Sequence, residues 1–149
     1  MAPIVHSVEI ARRPEEVFAY LSDFSNATEW QENLISADVE GEGPMGVGSR
    51  VRTVRRIGRT ERTMTNEVVE HTPPRSFGFR GIDGPVRATG RGTVEPVGDG
   101  TRSRFTMELD FEGHGIGKLL VPLVVRRQAD RDVARSQARL KERLESGTA

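Results

Sequence analysis

The three histidines, His6, His71 and His114, are the side chains most able to do acid–base or metal chemistry. None is paired with an acid or another histidine at ligand spacing on one helix face, and a zinc site needs three or four convergent ligands. The 149-residue chain has no cysteine, which excludes disulfides, thiolate catalysis and cysteine-bound metals. We therefore predict no metal site and keep His6 and His71 as weak candidates for a catalytic acid or base.

Two glycine-rich segments invite a comparison with phosphate-binding loops. Residues 41–46 match G-x-G-x-x-G, but Pro44 removes a backbone donor and a strand is predicted to follow, so this segment is interpreted as a hairpin connection. Residues 113–118 lack the spacing and the Ser/Thr of a P-loop, which favours a flexible hinge between a strand and a helix. No cofactor is predicted from either segment.

Alternating strand patterns and one long helix must position any functional groups. The sequence predicts a strand over Ile4 to Ile10, two short helices within residues 14–30, and six further strands. No connection between those six strands is long enough for a crossover helix, so the sheet should be antiparallel. From about Gly117 the chain is predicted to be helical to its end.

The inner faces of the predicted strands differ in the size of their side chains. Ile35, Ala37 and Val39 alternate with polar residues and are expected to share one face of the second strand. Gly90 and Gly92 fall on the inward face of the sixth strand. Glycines there either let the sheet bend or leave space for a ligand, and the sequence does not separate these two interpretations.

The last helix has an apolar side and a basic side. Its inner arc consists of Val125, Ala129, Val133, Leu140 and Leu144. Its opposite side carries Arg131, Arg135, Arg139 and Arg143. With Asp132 and Glu142 beside the arginines, such a row is typical of a solvated face.

Charge and hydropathy exclude several classes of partner. Lys plus Arg equals Asp plus Glu at 22 each, so the net charge is zero and gives no general attraction to nucleic acid. No apolar run is long enough to cross a bilayer, so no membrane insertion is expected. The first residues lack the pattern of a signal peptide, and we expect a cytoplasmic monomer or homodimer.

The order of elements and a set of local motifs resemble the helix-grip superfamily, also called START-like or SRPBCC, which includes polyketide cyclases/dehydratases and lipid-transport proteins. The motifs are Arg13-Pro14-Glu15-Glu16-Val17-Phe18, Leu21-Ser22-Asp23-Phe24, Trp30, Gly46-Val47-Gly48, Val69-Glu70 before Pro73-Pro74-Arg75, Gly98-Asp99-Gly100-Thr101 and Leu140-Lys141-Glu142. The resemblance implies a single α+β domain over residues 1–149. In it, a curved seven-stranded antiparallel sheet wraps around the long C-terminal helix, with two short helices after the first strand.

The resemblance also implies that an apolar ligand binds between the sheet and the last helix. The side chains predicted to line that cavity are Phe77, Phe79, Phe105, Met107, Ala129 and Val133, with space at Gly90 and Gly92. Trp30 is expected either in the core or at the end of the cavity. Arg55, Ser136 and Gln137 are the polar groups that orient a ligand or, alternatively, reach water at the open ends of the sheet.

The sequence is compatible with three functions. The first is binding of an apolar or amphipathic small molecule, with hydrophobic burial supplying affinity. The second is an enzyme resembling polyketide cyclases/dehydratases, in which folding a reactive chain and one acid or base, His6 or His71, supply catalysis. The third is an interaction module with a filled core, which would leave no cavity.

Overall fold

The structure is a computed structural model that describes residues 2–41 and 45–147. Residues 42–44 of the glycine-rich segment 41–46 lie outside the described residues. The strands are β1 (Ile4–Ile10), β2 (Leu34–Val39), β3 (Arg50–Ile57), β4 (Thr60–Thr72), β5 (Ser76–Gly81), β6 (Val86–Val97) and β7 (Arg102–Gly113). The helices are α1 (Pro14–Ser22), a 3₁₀ turn (Phe24–Asn26), α2 (Ala27–Trp30), α3 (Gly117–Leu120), a π turn (Val121–Val125) and α4 (Arg126–Glu145).

All seven strands form one antiparallel sheet in the order β1-β7-β6-β5-β4-β3-β2. Strands β2 to β7 follow one another as neighbours, as short connections dictate. β1 pairs with the far edge of that series, so α1 and α2 must carry the chain from one edge of the sheet to the other. The predicted α+β helix-grip fold is confirmed.

One face assignment in β2 is wrong. The side chain of Ile35 is 43% exposed, whereas Leu34 is only 8% exposed. The pairing of β2 with β3 shifts between Leu34 and Ser36, and such a bulge rotates the residues on one side of it relative to the other. Leu34 and Ala37 therefore face the interior, and Ile35 faces outward.

The glycines of β6 lie beneath aromatic rings. A Cβ atom at Gly90 would lie 2.4 Å from Cζ of Phe79, and one at Gly92 would lie 2.3 Å from Cζ of Phe77. Both separations are far below van der Waals contact, so neither ring could keep its position over any other residue. The rings of Phe79 and Phe77 on β5 thus fill the space that side chains at Gly90 and Gly92 would occupy.

The C-terminal helical segment begins at a tight crossing of two backbones. A Cβ atom at Gly117 would lie 1.7 Å from the carbonyl oxygen of Pro85, and one at Gly113 would lie 2.2 Å from the carbonyl oxygen of Gly117. The same Pro85 oxygen accepts a hydrogen bond of 2.8 Å from the backbone N–H of His114. The structure thus gives Gly113 and Gly117 a packing role at the joint between β6, β7 and α3.

Two apolar clusters fix the helical segment to the sheet at opposite ends. The first contains Ile10, Val17, Phe18, Tyr20, Leu21, Val94, Phe105, Leu140 and Leu144. The second contains Ile57, Met64, Val86, Val121 and Val125. Ala129 and Val133 lie between the two clusters on α4 and belong to neither of them. The helix is therefore held at both ends and leaves space beneath its middle.

Candidate functional site

A cavity of about 210 Å³ occupies the space between the sheet and α4. Its lining includes these predicted ligand contacts: Trp30, Arg55, Phe77, Phe79, Phe105, Met107, Ala129, Val133 and Gln137. Gly90 and Gly92 do not belong to the lining because Phe79 and Phe77 cover them. The interpretation as an interaction module with a filled core is therefore not favoured. Contact of these residues with a ligand stays a prediction.

An aromatic wall closes one side of the cavity. The ring centroid of Phe105 lies 6.4 Å from that of Phe77, and the two rings are stacked. The centroid of the Trp30 ring lies 6.3 Å from that of Phe105, and these two rings meet edge to face. Phe105 is fully buried and holds the other two rings in place. Flat apolar surfaces of this kind give a ligand a large contact area at little loss of conformational entropy. The wall suits a planar or aliphatic group without hydrogen-bonding demands.

Arg55 brings a positive charge to the lining of this cavity. The guanidinium donates a hydrogen bond to the side-chain oxygen of Gln31, and that is its one hydrogen bond to the described residues. A guanidinium has five N–H donors, so most of its capacity is unused. Burial lowers the pKa of Arg55 to about 10, although the negative charge of Asp132 raises it. The group is therefore a partly desolvated cation at neutral pH.

A network of amides holds Asp132 near this charge. The side-chain nitrogen of Asn33 donates to both carboxylate oxygens of Asp132, at 3.1 and 3.0 Å, and that of Gln128 donates to one of them at 3.1 Å. Asn33 has a left-handed backbone with φ of 61°, a conformation that asparagine tolerates better than most residues. Its carbonyl accepts a 2.9 Å hydrogen bond from the backbone of Arg56. Asp132 is thus fixed close enough to influence Arg55.

We name Gln31, Asn33, Arg55, Gln128 and Asp132 the polar end of the cavity, since all five line it. Only Arg55 was identified as a ligand contact from the sequence. The signal for the others was weak, because a short polar run before β2 and a helix face with mixed charge are ordinary features of a surface. Ser136 and Gln137 also line the cavity, but their side chains bond to the backbones of Glu32 and His6 respectively, at 2.8 Å each.

The two candidate histidines occupy different environments. His71 lines the cavity, and its ring centroid lies 5.7 Å from that of Phe18. Its Nε2 atom is buried and has no hydrogen-bond partner among the residues that the structure describes. His6 lies outside the lining and bonds through Nε2 to Asp130 at 2.8 Å. Of the two histidines, His71 therefore belongs to the cavity lining and His6 does not.

Together these groups can bind a molecule with an apolar body and an oxygen-bearing head. The aromatic wall takes the body, and the spare donors of Arg55 point to a carboxylate, enolate or carbonyl oxygen as their partner. A buried charge with few partners is costly unless something pairs with it. A ligand oxygen meets that need without any change in the fold.

Several solved structures share this fold over nearly the whole length of the chain. TTHA0849 from Thermus thermophilus has 20% sequence identity and a TM-score of 0.81, with 99% of each chain covered. The Zhui aromatase/cyclase from Streptomyces sp. R1128 has 17% identity and a TM-score of 0.75, covering 95% of this chain and 94% of its own. A START superfamily protein from Mycobacterium smegmatis has 15% identity and a TM-score of 0.74, covering 97% and 99%. At these identities the likeness shows the fold alone.

No curated protein sequence matches the chain. The model of one family, described as polyketide cyclase / dehydrase and lipid transport, matches residues 1–145. That match covers nearly the whole chain and agrees with the helix-grip fold and the cavity beneath α4. This protein belongs to the polyketide cyclase/dehydrase and lipid transport family.

Proposed function

We propose that this protein binds a compact amphipathic molecule in the cavity, with Arg55 holding an oxygen of the ligand. The observation that carries this proposal is a partly desolvated guanidinium with unused donors in the lining of an otherwise mostly apolar cavity. The volume of about 210 Å³ lies below the roughly 300–1,000 Å³ of most ligand pockets. This size favours a ligand of two or three rings, or a short chain, over a full-length lipid.

Filling the cavity from α4 should weaken ligand binding. Ala129 lines the cavity, and an Ala129→Phe variant places a ring in the space that a ligand needs. Binding of the amphipathic dye 1-anilinonaphthalene-8-sulfonate, followed by fluorescence titration, is expected to weaken by at least about tenfold, since its apolar contact area is lost. Thermal denaturation of the same variant shows whether the fold is kept.

An Ala134→Phe variant is the matched control, because Ala134 lies on the same helix and is exposed. It makes the same chemical change outside the cavity and is expected to bind the dye as the original protein does. Equal loss of binding in both variants, or full binding by a folded Ala129→Phe variant, would place the dye elsewhere and contradict the proposal.

His71 supports a second candidate function, a cyclase- or dehydratase-like enzyme. This residue lines the same cavity as Arg55, and its Nε2 has no hydrogen-bond partner among the described residues. In a dehydration, a neutral imidazole can take the α-proton of a β-hydroxy thioester while the guanidinium stabilises the enolate oxygen. The β-hydroxyl then takes that proton back from the imidazolium and leaves as water, and the enolate electrons form a double bond between the α and β carbons. The aromatase/cyclase with the same fold makes this reaction class a reasonable one to test.

Under that second candidate, a His71→Phe variant is expected to lower the rate of dehydration by about 10²–10⁴-fold. The substrate is an aromatic β-hydroxy thioester, and the conjugated product is followed by its ultraviolet absorbance. A His6→Phe variant is the control, and it should keep the original rate because His6 bonds to Asp130 outside the cavity. An unchanged rate in His71→Phe removes this mechanism and leaves ligand binding as the function.

A further inference from the structure

The segment that leads into α4 exposes large apolar side chains. Ile116, Leu119 and Leu123 are 59%, 65% and 69% exposed, and their spacings of three and four residues place them on one side of α3 and the π turn. Val121 and Val125, on the other side of the same turns, are buried in the core. The exposed trio is therefore anchored from behind by buried side chains of the same segment.

The segment that carries this trio contains basic residues and no acidic ones. Residues 113–129 contain Lys118, Arg126 and Arg127 but no aspartate or glutamate, although acidic and basic residues are equal in number in the whole chain. Arg126 is paired with Asp110 at 2.9 Å. Within the described residues, Lys118 and Arg127 have no ion-pair partner. The charge beside the trio is thus not neutralised by the fold.

The positive charge continues along the outer side of α4. Arg127, Arg131 and Arg135 follow Leu119 and Leu123 at a regular spacing of four residues, and all are exposed. No acid among the described residues pairs with these three arginines, whereas further along the helix Arg139 pairs with Glu32 at 2.6 Å. The row therefore runs from an apolar end to a basic stretch on one continuous helical surface.

We propose that this row docks the protein on an anionic lipid surface. We name the trio and the three arginines together the basic-apolar face. Exposed apolar side chains on one side of a helical segment can bury themselves among acyl chains at the boundary with the headgroups. Unpaired arginines beside them attract anionic headgroups. A nucleic acid would use the arginines but gain nothing from the leucines, and the observations therefore favour lipid.

Docking of this kind is peripheral. Each helix in residues 2–41 and 45–147 is too short or too polar to span a bilayer, so only the side chains of the trio would pass the headgroups. The proposal does not rest on the function of the cavity. Docking would nevertheless place the cavity beside a reservoir of apolar molecules, because Val125 and Ala129 line it from the inner side of the same helical segment.

The test is co-sedimentation of the full chain with phosphatidylcholine vesicles, with and without phosphatidylglycerol. We expect binding that needs the anionic lipid and weakens as salt is raised. An Arg127→Gln, Arg131→Gln, Arg135→Gln variant and a Leu119→Ser, Leu123→Ser variant should each lower the partition coefficient by at least about tenfold. Dye binding to the cavity, measured without vesicles, should be unchanged in both.

Two control variants remove the same chemical groups elsewhere. An Arg13→Gln, Arg50→Gln, Arg75→Gln variant loses the same net charge, and a Val47→Ser, Val69→Ser variant loses exposed apolar side chains. Both should bind vesicles to within about twofold of the original protein.

Several results would overturn the proposal. Absence of binding to anionic vesicles would do so, as would equal losses in the control variants. Binding of duplex DNA that survives Leu119→Ser, Leu123→Ser would assign the arginines to nucleic acid. A dimer in sedimentation equilibrium that the same leucine variant dissociates would assign the trio to a second copy of the chain.

Discussion

An Arg55→Met variant is expected to bind 2-naphthoate about 100-fold more weakly than the original protein, as measured by isothermal titration calorimetry. Two charged hydrogen bonds are lost, and each contributes about 1.5 kcal/mol. The neutral analogue 2-naphthalenemethanol, which has the same rings, should lose less than about threefold. Because methionine keeps much of the apolar stem of arginine, the wall of the cavity is retained and the difference isolates the charge.

Stability should change little in this variant. The loss of a partly desolvated charge is favourable, but it leaves Asp132 without its nearby cation, and the two effects oppose each other. The free energy of unfolding should therefore change by less than about 1 kcal/mol. An Arg52→Met variant is the control, since Arg52 is exposed on the same strand and pairs with Glu40 at 3.8 Å. Equal weakening of both naphthalenes would mean that Arg55 only shapes the cavity.

The charge of Arg55 also predicts how binding depends on pH. Its pKa of about 10 lies below that of an ordinary arginine but well above neutrality. Affinity for 2-naphthoate should therefore hold through neutral pH, and it should fall as the pH rises through that value because the guanidinium loses its proton. Loss of affinity near neutral pH would point to a histidine instead.

A Gly117→Ala variant is expected to lower the free energy of unfolding by about 3 kcal/mol or more. The added methyl group would meet the backbone of Pro85 at 1.7 Å, and a backbone carbonyl cannot rotate away as a side chain can. Moving it displaces Val86 at the start of β6, which is 1% exposed and packs with Val121. In a chain of this length the melting temperature should fall by roughly 6–12 °C.

A Gly46→Ala variant is the matched control for this prediction. A methyl group added at Gly46 would have no atom within 4 Å, and this glycine does not have a left-handed backbone. Its substitution should change stability by no more than about 0.5 kcal/mol. A Gly117→Ala variant that melts like the original protein would mean that the crossing of β6 and α3 relaxes freely, and that Gly117 is not a packing requirement.

The sheet was predictable from the sequence because its signals are local. Alternation along β6 and β7, and the Gly98-Asp99-Gly100 turn between them, fix which residues face inward without reference to the rest of the chain. The wrong face was assigned to Ile35 because only local signals were used there as well. A bulge depends on how a strand pairs with its neighbour, and a single-strand pattern does not contain that information.

The polar end of the cavity could not be predicted as a unit. Gln31 and Asn33 come from a short segment before β2, while Gln128 and Asp132 come from α4, about a hundred residues later in the chain. Only the folded chain brings them to Arg55. His71 and His6 were equivalent in the sequence for the same reason, since neither motif nor spacing shows which of two partly buried histidines turns toward the cavity.

The phenylalanines that rest on Gly90 and Gly92 give those glycines an influence on which ligands fit. A methyl group at either position would push Phe79 or Phe77 away from β6 and into the cavity, and the site would become shallower. Selection for ligand size can therefore act on two residues that no ligand touches. Relatives that carry alanine or larger residues at these positions should accept only smaller molecules.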